Sequence, residues 1–188
     1  MGIFDLLFIV LFLAAVATLL TAASFAIRGK GVRALAILRK LGICAAAYFA
    51  VIVAASLFWP RTVLHVGEPQ CFDDWCIAVQ SAAAGRHYTV ALRLFSTARR
   101  VSQRERNVVV YLCDRQGRRY DPVPNPSDVP FDVQLGPGES VTATRLFELP
   151  AGASDPGLVI THEGGFPIGW FIVGYETWFH KPAIVRLP

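Results

Sequence analysis

The sequence lacks the short motifs that mark the common enzyme classes. Its 188 residues contain no G-x-S-x-G nucleophile elbow, no H-E-x-x-H zinc-protease motif, no P-loop and no glycine-rich dinucleotide fingerprint. The four histidines lie in separate segments and form no motif with a nucleophile; they are His65, His87, His162 and His180. We therefore expect a protein that is not an enzyme and that uses no cofactor.

Charge is also lacking from two long stretches near the amino terminus. Residues 3–27 hold one charged side chain, Asp5, and residues 41–59 hold none. An apolar run of about 20 residues is what a helix needs to cross the hydrocarbon core of a bilayer. The first run has no Lys or Arg before it and is longer than the apolar centre of a signal peptide. Both runs therefore predict retained transmembrane helices, and residues 1–60 a membrane hairpin.

Acidic residues are absent between the two apolar runs. Residues 28–40 carry five basic side chains: Arg28, Lys30, Arg33, Arg39 and Lys40. Because cytoplasmic loops are enriched in Lys and Arg, this loop is predicted to lie in the cytoplasm. Both termini and everything after Trp59 are then on the periplasmic or extracellular side of the cytoplasmic membrane. The stretch 32–38 is predicted either to lie on the inner membrane surface or to be an early start of the second helix.

The net charge of +4 arises in the membrane anchor. Removing Asp5 and the five basic loop residues from the 14 acidic and 18 basic residues leaves 13 of each in residues 61–188. A neutral domain lacks the positive field that nucleic-acid binding requires. The expected partners are the lipid bilayer and a membrane or envelope protein, and not a nucleic acid.

Small residues recur every fourth position on both apolar runs. They are Ala14, Thr18, Ala22 and Ala26 on the first, and Ala46, Ala50 and Ala54 on the second. Small residues at this spacing let two helix backbones approach closely in lipid. They predict a tight antiparallel hairpin, although alanine is common in membrane helices without such a role.

Long apolar runs are missing after Arg61, where short alternating runs are separated by Gly, Pro, Asn and Asp. In residues 87–94, Tyr88, Val90, Leu92 and Leu94 share one face, which is the period of a half-buried strand. The predicted strands are 62–66, 75–83, 87–94, 107–113, 118–121, 140–149, 158–162, 168–175 and 182–187. Many short strands in about 125 residues are typical of an antiparallel sandwich. We predict an all-β, immunoglobulin-like domain over residues 61–188.

The order of several segments resembles that of a known family. These segments are FDDW, YTVALRL, VVVYLCDRQGRRYDP, LGPGESVTATRLFELP and LVITHEGGFPIGWFIVG. Together they are similar to bacterial extracytoplasmic domains of uncharacterised function, of the telomeric-repeat-binding-factor-like and immunoprotective extracellular type. The resemblance covers residues 62–188. It implies an immunoglobulin-like fold and an exported binding or structural module, and it supplies no catalytic residue.

Three cysteines follow the membrane hairpin, and outside the cell they meet an oxidising compartment. Cys71 and Cys76 flank Asp73 and Asp74, which favour a turn, so this pair is predicted to close a small disulfide-bonded loop worth on the order of 2 kcal/mol. The rival pairing joins Cys76 to Cys113. A zinc site, a redox centre or a Ca²⁺ site at the two aspartates is a weaker alternative, because the spacing and the number of ligands do not fit.

Two further groups of residues are candidate contact surfaces. The segment 98–106 bears Arg99, Arg100, Arg104 and Arg106, which predicts either a patch for an anionic partner or an ordinary solvated loop. The segment 162–179 is rich in aromatic residues, among them Phe166, Trp170 and Trp178. Apolar patches of this kind mark contact surfaces, although burial against the membrane-proximal core explains them equally.

The combined features predict three functions. The first is a membrane-anchored extracytoplasmic module for protein interaction or structure. The second is an accessory subunit of a larger membrane complex, bioenergetic or photosynthetic, that docks through the helices. The third is an envelope sensor or glycan-binding module that uses the arginines and aromatic residues.

Overall fold

The computed structural model describes residues 3–150, 152–164, 168–173, 179 and 181–188. The chain divides into two compact units. The first combines Met1–Pro60 with Pro167–Lys181, and the second combines Arg61–Phe166 with Pro182–Pro188. Of the described residues, 168–173, 179 and 181 group with the helices, whereas the sequence analysis places them in the β domain.

Two helices form the first unit, α1 (Ile3–Ile27) and α2 (Gly31–Phe58). Both are long and apolar enough to cross a membrane. Gly29 ends α1 with a φ of 73°, the left-handed conformation that commonly stops a helix, and Lys30 N–H donates to the carbonyl of Phe25 at 2.9 Å. Because α2 begins at Gly31, the basic residues Arg33, Arg39 and Lys40 lie on the helix. The stretch 32–38 therefore takes the early-helix alternative.

The alanine repeat that was predicted to pack α2 against α1 is not the shielded part of α2. Ala46, Ala50 and Ala54 are exposed, as is Ala14 on α1. On α1 the shielded residues Ala15, Thr18, Ala22 and Phe25 follow a spacing of three and four, and Asp5, Phe8 and Ser24 are partly shielded as well. On α2 the most buried are Ala34, Ile52 and Ser56. Of the seven predicted packing residues, Thr18 and Ala22 thus lie on the shielded side, and the other five, Ala26 among them, are exposed.

Nine strands form the second unit within the described residues. They are β1 (Val63–Leu64), β2 (Pro69–Phe72), β3 (Trp75–Ala83), β4 (Tyr88–Ser96), β5 (Val108–Cys113), β6 (Arg119–Tyr120), β7 (Ser140–Phe147), β8 (Gly157–His162) and β9 (Ile184–Arg186). One sheet has the order β1-β9-β8-β5-β6 and the other β2-β3-β4-β7. All neighbouring strands are antiparallel except β1 and β9. The chain is therefore two apolar helices followed by an all-β domain of two antiparallel sheets.

The predicted strand 168–175 is wrong in its described part. Residues Ile168–Phe171 form a short 3₁₀ helix, and Ile172 N–H donates to the Gly169 carbonyl at 3.2 Å. A proline at 167 and a glycine inside the segment favour a local turn over a ladder. Conversely, strand β2 was not predicted as a strand.

The core of the second unit lies between the two sheets. Period-two alternation turns every second residue of each long strand inward, as in β4, where Val90, Leu92 and Leu94 are fully buried. A bulge between Val79 and Ser81 resets this alternation along β3. The largest buried side chains of the core come from both sheets; they include Trp75, Ile77, Leu92, Leu94, Leu112, Phe147, Leu158 and Ile160.

Candidate interaction surfaces

The disulfide joins the two strands of the β2–β3 hairpin. Cys71 and Cys76 face each other directly in the register, and their sulfur atoms are bonded. Asp73 and Asp74 form the two-residue turn, in which Asp73 has a φ of 52°. The rival pairing is absent from the structure, since Cys113 is a free thiol. The bonded loop thus lies where the hairpin enters the core through Trp75, whose side chain is 1% exposed.

The surface of the β2-β3-β4-β7 sheet that points away from the core carries very little charge. We call it the outer face and define it by the register rows of the sheet. Its members are Pro69, Cys71, Cys76, Ala78, Ser81, Ala83, Thr89, Ala91, Arg93, Phe95, Ser140, Thr142, Thr144 and Leu146. Arg93 is the sole charged residue in these rows, and its guanidinium lies 5.0 Å from the centre of the Phe95 ring. Apart from Pro69, Arg93, Phe95 and Leu146, the outer face is therefore built of small and hydroxyl-bearing residues, of which Cys76 and Ala78 are buried.

The four arginines of segment 98–106 are exposed, but they do not form one free basic patch. Arg104 is paired with Asp132, whose pKa is lowered chiefly by this hydrogen bond. Between the arginines, Glu105 lies 3.0 Å from His162 Nε2, and the ring of His162 stands edge-on to Phe72 at 4.3 Å. Part of the positive charge of the segment is thus neutralised. The Glu105 carboxylate also connects the segment to strand β8 through His162.

The aromatic candidates are described only in part. Phe166 and Trp178 lie outside the described residues. Trp170 is 45% exposed and Phe171 is 42% exposed, and the Tyr48 hydroxyl donates a hydrogen bond of 2.7 Å to the Phe171 carbonyl. The part of the predicted aromatic surface that can be described therefore belongs to the helical unit.

The sequence analysis did not predict two charged groups that are buried in the structure. Arg145 is 7% exposed on β7; its guanidinium donates to the Val129 carbonyl at 2.7 Å and lies 4.2 Å from the centre of the Phe131 ring. Burial lowers the pKa of Arg145, and the nearby carboxylate of Asp128 opposes this. These contacts hold the 128–131 segment to the sheet, which is a structural role.

Asp114 is the second buried charge and organises the turn after β5. Its carboxylate accepts hydrogen bonds from the backbone N–H groups of Gln116 and Arg118, the Arg118 guanidinium and the Tyr120 hydroxyl. Burial would raise the pKa of Asp114, but the hydrogen bonds from Arg118 and Tyr120 outweigh it and lower the pKa to about 2. An aspartate at the first position of a turn was the available sequence signal.

Asp114→Asn is expected to weaken the acid dependence of stability. The carboxylate has a lower pKa in the folded chain than its unfolded value of about 3.9, so its stabilising contribution is complete above that value. It is lost as the pH falls toward the folded pKa of about 2. The urea midpoint of the full chain in detergent, measured from pH 5 to pH ~2, should fall less steeply in the variant. An unchanged slope would show that the carboxylate does not titrate as proposed.

Within the part of the chain that the structure describes, no three His, Cys, Asp or Glu side chains come together in a group that could hold a metal ion.

Comparison with known proteins gives one weak similarity. No protein-family model matches the chain, and no curated protein matches it. Among solved structures, the yjhA protein from Bacillus subtilis is similar over 66% of this chain and 99% of that chain, with 12% sequence identity and a TM-score of 0.45. At this score the similarity carries no argument about fold or function.

Proposed function

We propose that the protein is a membrane-anchored, extracytoplasmic and non-catalytic module that binds a protein partner through the outer face. The observation that carries the proposal is the charge content of that face, where Arg93 is the sole charged residue in the register rows. A solvated sheet surface usually alternates core residues with polar and charged ones. The centres of protein interfaces, in contrast, are depleted of charged residues. A sheet surface of mostly small, uncharged side chains suits a partner protein that also presents a surface of low charge.

Three observations support the proposed location. The helices α1 and α2 are long and apolar enough to span a bilayer. Basic residues cluster around the connection between them, which favours the cytoplasm for that end. The bonded pair Cys71 and Cys76 is compatible with an oxidising compartment. This location places the β domain on the periplasmic or extracellular side of a bacterial cytoplasmic membrane.

An immunoglobulin-like sandwich and membership of the resembled extracytoplasmic family are parts of the same proposal. They are supported by two antiparallel sheets that share one core. The parallel pair β1 and β9 involves two residues of β1 at the edge of its sheet. An exported module of this architecture has a surface for binding and needs no reactive centre.

The location is tested by protease added to intact spheroplasts. The β domain should be digested, and a tagged cytoplasmic loop near Gly29 should survive until the bilayer is disrupted. The reverse pattern would invert the proposed topology, and with it the extracytoplasmic role.

The partner is tested by site-specific photo-crosslinking in native cells. A photoreactive residue at Thr142 should join a defined protein, while the same residue at the exposed Ser127, away from the outer face, should not. Thr144→Glu places a carboxylate on the outer face and should reduce the crosslink at least tenfold, because a desolvated unpaired charge opposes binding. Ser127→Glu is the matched control for charge. Equal crosslinking in both glutamate variants would exclude the outer face as the binding site.

An accessory subunit that docks through its helices is the second candidate. The observation in its favour is that Ala46, Ala50 and Ala54 are exposed on α2, which leaves a row of small residues available to another helix. In that case Ala50→Leu, and not Thr144→Glu, should separate the protein from a stoichiometric membrane complex in gentle detergent. Recovery of the complex from Ala50→Leu membranes would rule out this docking surface.

A further inference from the structure

The segment between β8 and β9 is joined to the side of α2. Residues 168–173 belong to the same compact unit as the helices, and the 3₁₀ helix Ile168–Phe171 is their ordered part. The Tyr48 hydroxyl donates to the Phe171 carbonyl at 2.7 Å. This contact fixes the position of the segment along the length of the helix.

The contact lies near the middle of the apolar part of α2. Tyr48 stands ten residues before Phe58, where α2 ends, and eight residues after Lys40. At about 1.5 Å per residue these are distances of roughly 15 Å and 12 Å along the helix axis. The hydrocarbon core of a bilayer is about 30 Å thick. If α2 spans the bilayer, the Phe171 carbonyl is therefore close to the midplane.

The hydrogen bonding of the segment suits that depth. An unpaired backbone carbonyl is costly in hydrocarbon, and non-helical backbone is tolerated at that depth where it packs against protein that satisfies its polar groups. The carbonyls at the end of a helix lack partners within the helix, and Tyr48 supplies one to Phe171. The same bond also satisfies the hydroxyl of Tyr48, which would otherwise be a lone polar group on an apolar helix.

The composition of the segment suits lipid as well. Residues 168–173 read IGWFIV and contain no charged or hydroxyl-bearing side chain. Trp170 and Phe171 nevertheless expose 45% and 42% of their surface. An uncharged helical turn that exposes two large aromatic rings is unusual for a loop in water and marks a contact surface. The apolar surface of α2 next to it offers a continuous environment for such rings.

We infer that residues 168–173 are a third membrane-embedded element, a re-entrant turn that Tyr48 holds at mid-depth and whose aromatic rings contact lipid acyl chains. This inference rests on the proposed function, because it requires that α2 crosses the bilayer. The β domain is then interrupted between β8 and β9 by a piece of chain that resides in lipid.

The inference is tested by measuring the depth of spin labels in the full 188-residue chain. Cys44→Ser and Cys113→Ser remove the free thiols and leave the Cys71–Cys76 disulfide intact. Single cysteines then replace three exposed apolar residues: Phe171 in the segment, Val51 on α2 and Val101 in the β unit. In vesicles of phosphatidylcholine and phosphatidylglycerol, the accessibility of each label to oxygen and to a water-soluble nickel chelate reports its depth.

The label at 171 should match the label at 51, with high oxygen and low nickel accessibility, and should differ from the label at 101. A label at 171 that behaves like the one at 101, while the label at 51 remains in lipid, overturns the inference and leaves the proposed anchor intact. Water exposure at both 171 and 51 overturns the anchor and the inference together.

A second variant tests the role of the hydroxyl. Tyr48→Phe removes the hydrogen bond to Phe171 and keeps the ring, so the label at 171 should move toward water and its nickel accessibility should rise several-fold. Tyr111→Phe, a loss of a hydroxyl in the β unit, is the control and should change nothing. An unchanged depth in Tyr48→Phe overturns the assignment of Tyr48 as the group that holds the segment.

Discussion

Phe147→Ala is expected to lower the free energy of unfolding of the β domain by about 3–5 kcal/mol. The Phe147 ring is completely buried at the end of β7 and belongs to the core between the two sheets. Removing it leaves a cavity that the surrounding strands can fill only partly, so the loss exceeds the transfer free energy of the ring. Domains of this size have about 5–15 kcal/mol of stability in total. The variant should therefore unfold at a much lower urea concentration.

Phe95→Ala is the matched control for this change. Phe95 lies on β4 in the same sheet, but it points to the outer face, where Arg93 covers it. Its removal should cost less than half as much, because it leaves no enclosed cavity. Urea unfolding of the full chain in detergent, followed by the fluorescence of the buried Trp75, gives both values. Equal losses would contradict the assignment of inward and outward faces.

The sequence predicted most of the strands because their alternation is strict. In β4 and β5 every second residue is buried, so the period of two is visible without a structure. Strand β2 was not predicted because its alternating residues, Gln70 and Phe72, differ in polarity and follow Pro69. Segment 168–171 was wrongly predicted as a strand because an apolar, aromatic run is typical of a strand. In the structure it is a 3₁₀ helix that belongs to the helical unit. That environment is a tertiary property and leaves no local period.

The candidate residues were predictable to different degrees. The Cys71–Cys76 pair was accessible because a turn between two cysteines brings them together locally. Arg145 was not, because the period-two pattern places a cation on the inward face of the sheet. Its partners, the carbonyls of Val129 and Thr144, the carboxylate of Asp128 and the ring of Phe131, are brought to it by the fold. The outer face was missed for a related reason. Its low charge appears only when the registers of four strands are combined.

The alanine repeats show the limit of a spacing argument. Both helices carry small residues every fourth position, yet only Thr18 and Ala22 of the predicted set are shielded. A repeat of four drifts around a helix with 3.6 residues per turn. Ala15, Thr18, Ala22 and Phe25 of α1 instead follow steps of three and four, which keeps these four side chains on one side of the helix. The side chains shielded on α1 therefore follow a period near 3.6 residues, which a repeat of four matches for only about two turns.

Gly157→Val is expected to destabilise the β domain by about 3 kcal/mol, at the upper end of what overpacking usually costs. A Cβ atom at this position would lie 2.5 Å from Cδ1 and 2.6 Å from Cγ1 of Ile184, and 3.3 Å from the backbone oxygen of Val185. Gly157 opens β8 and pairs with β9. Because its φ is not in the left-handed region, valine is strained by its neighbours and not by its own backbone.

This origin of the strain predicts a rescue. Ile184→Ala removes the atoms closest to the new side chain, so Gly157→Val combined with Ile184→Ala should be more stable than the sum of the two single changes implies. Gly152→Val is the control, since no atom beyond the adjacent residues of the chain lies within 4 Å of a Cβ at that position. Urea midpoints of the original protein, the two single variants and the double variant give the coupling free energy between residues 157 and 184. If the losses of stability in the two single variants simply add, the destabilisation by valine does not arise at the contact between β8 and β9. The close approach of these two strands would then not explain why residue 157 is a glycine.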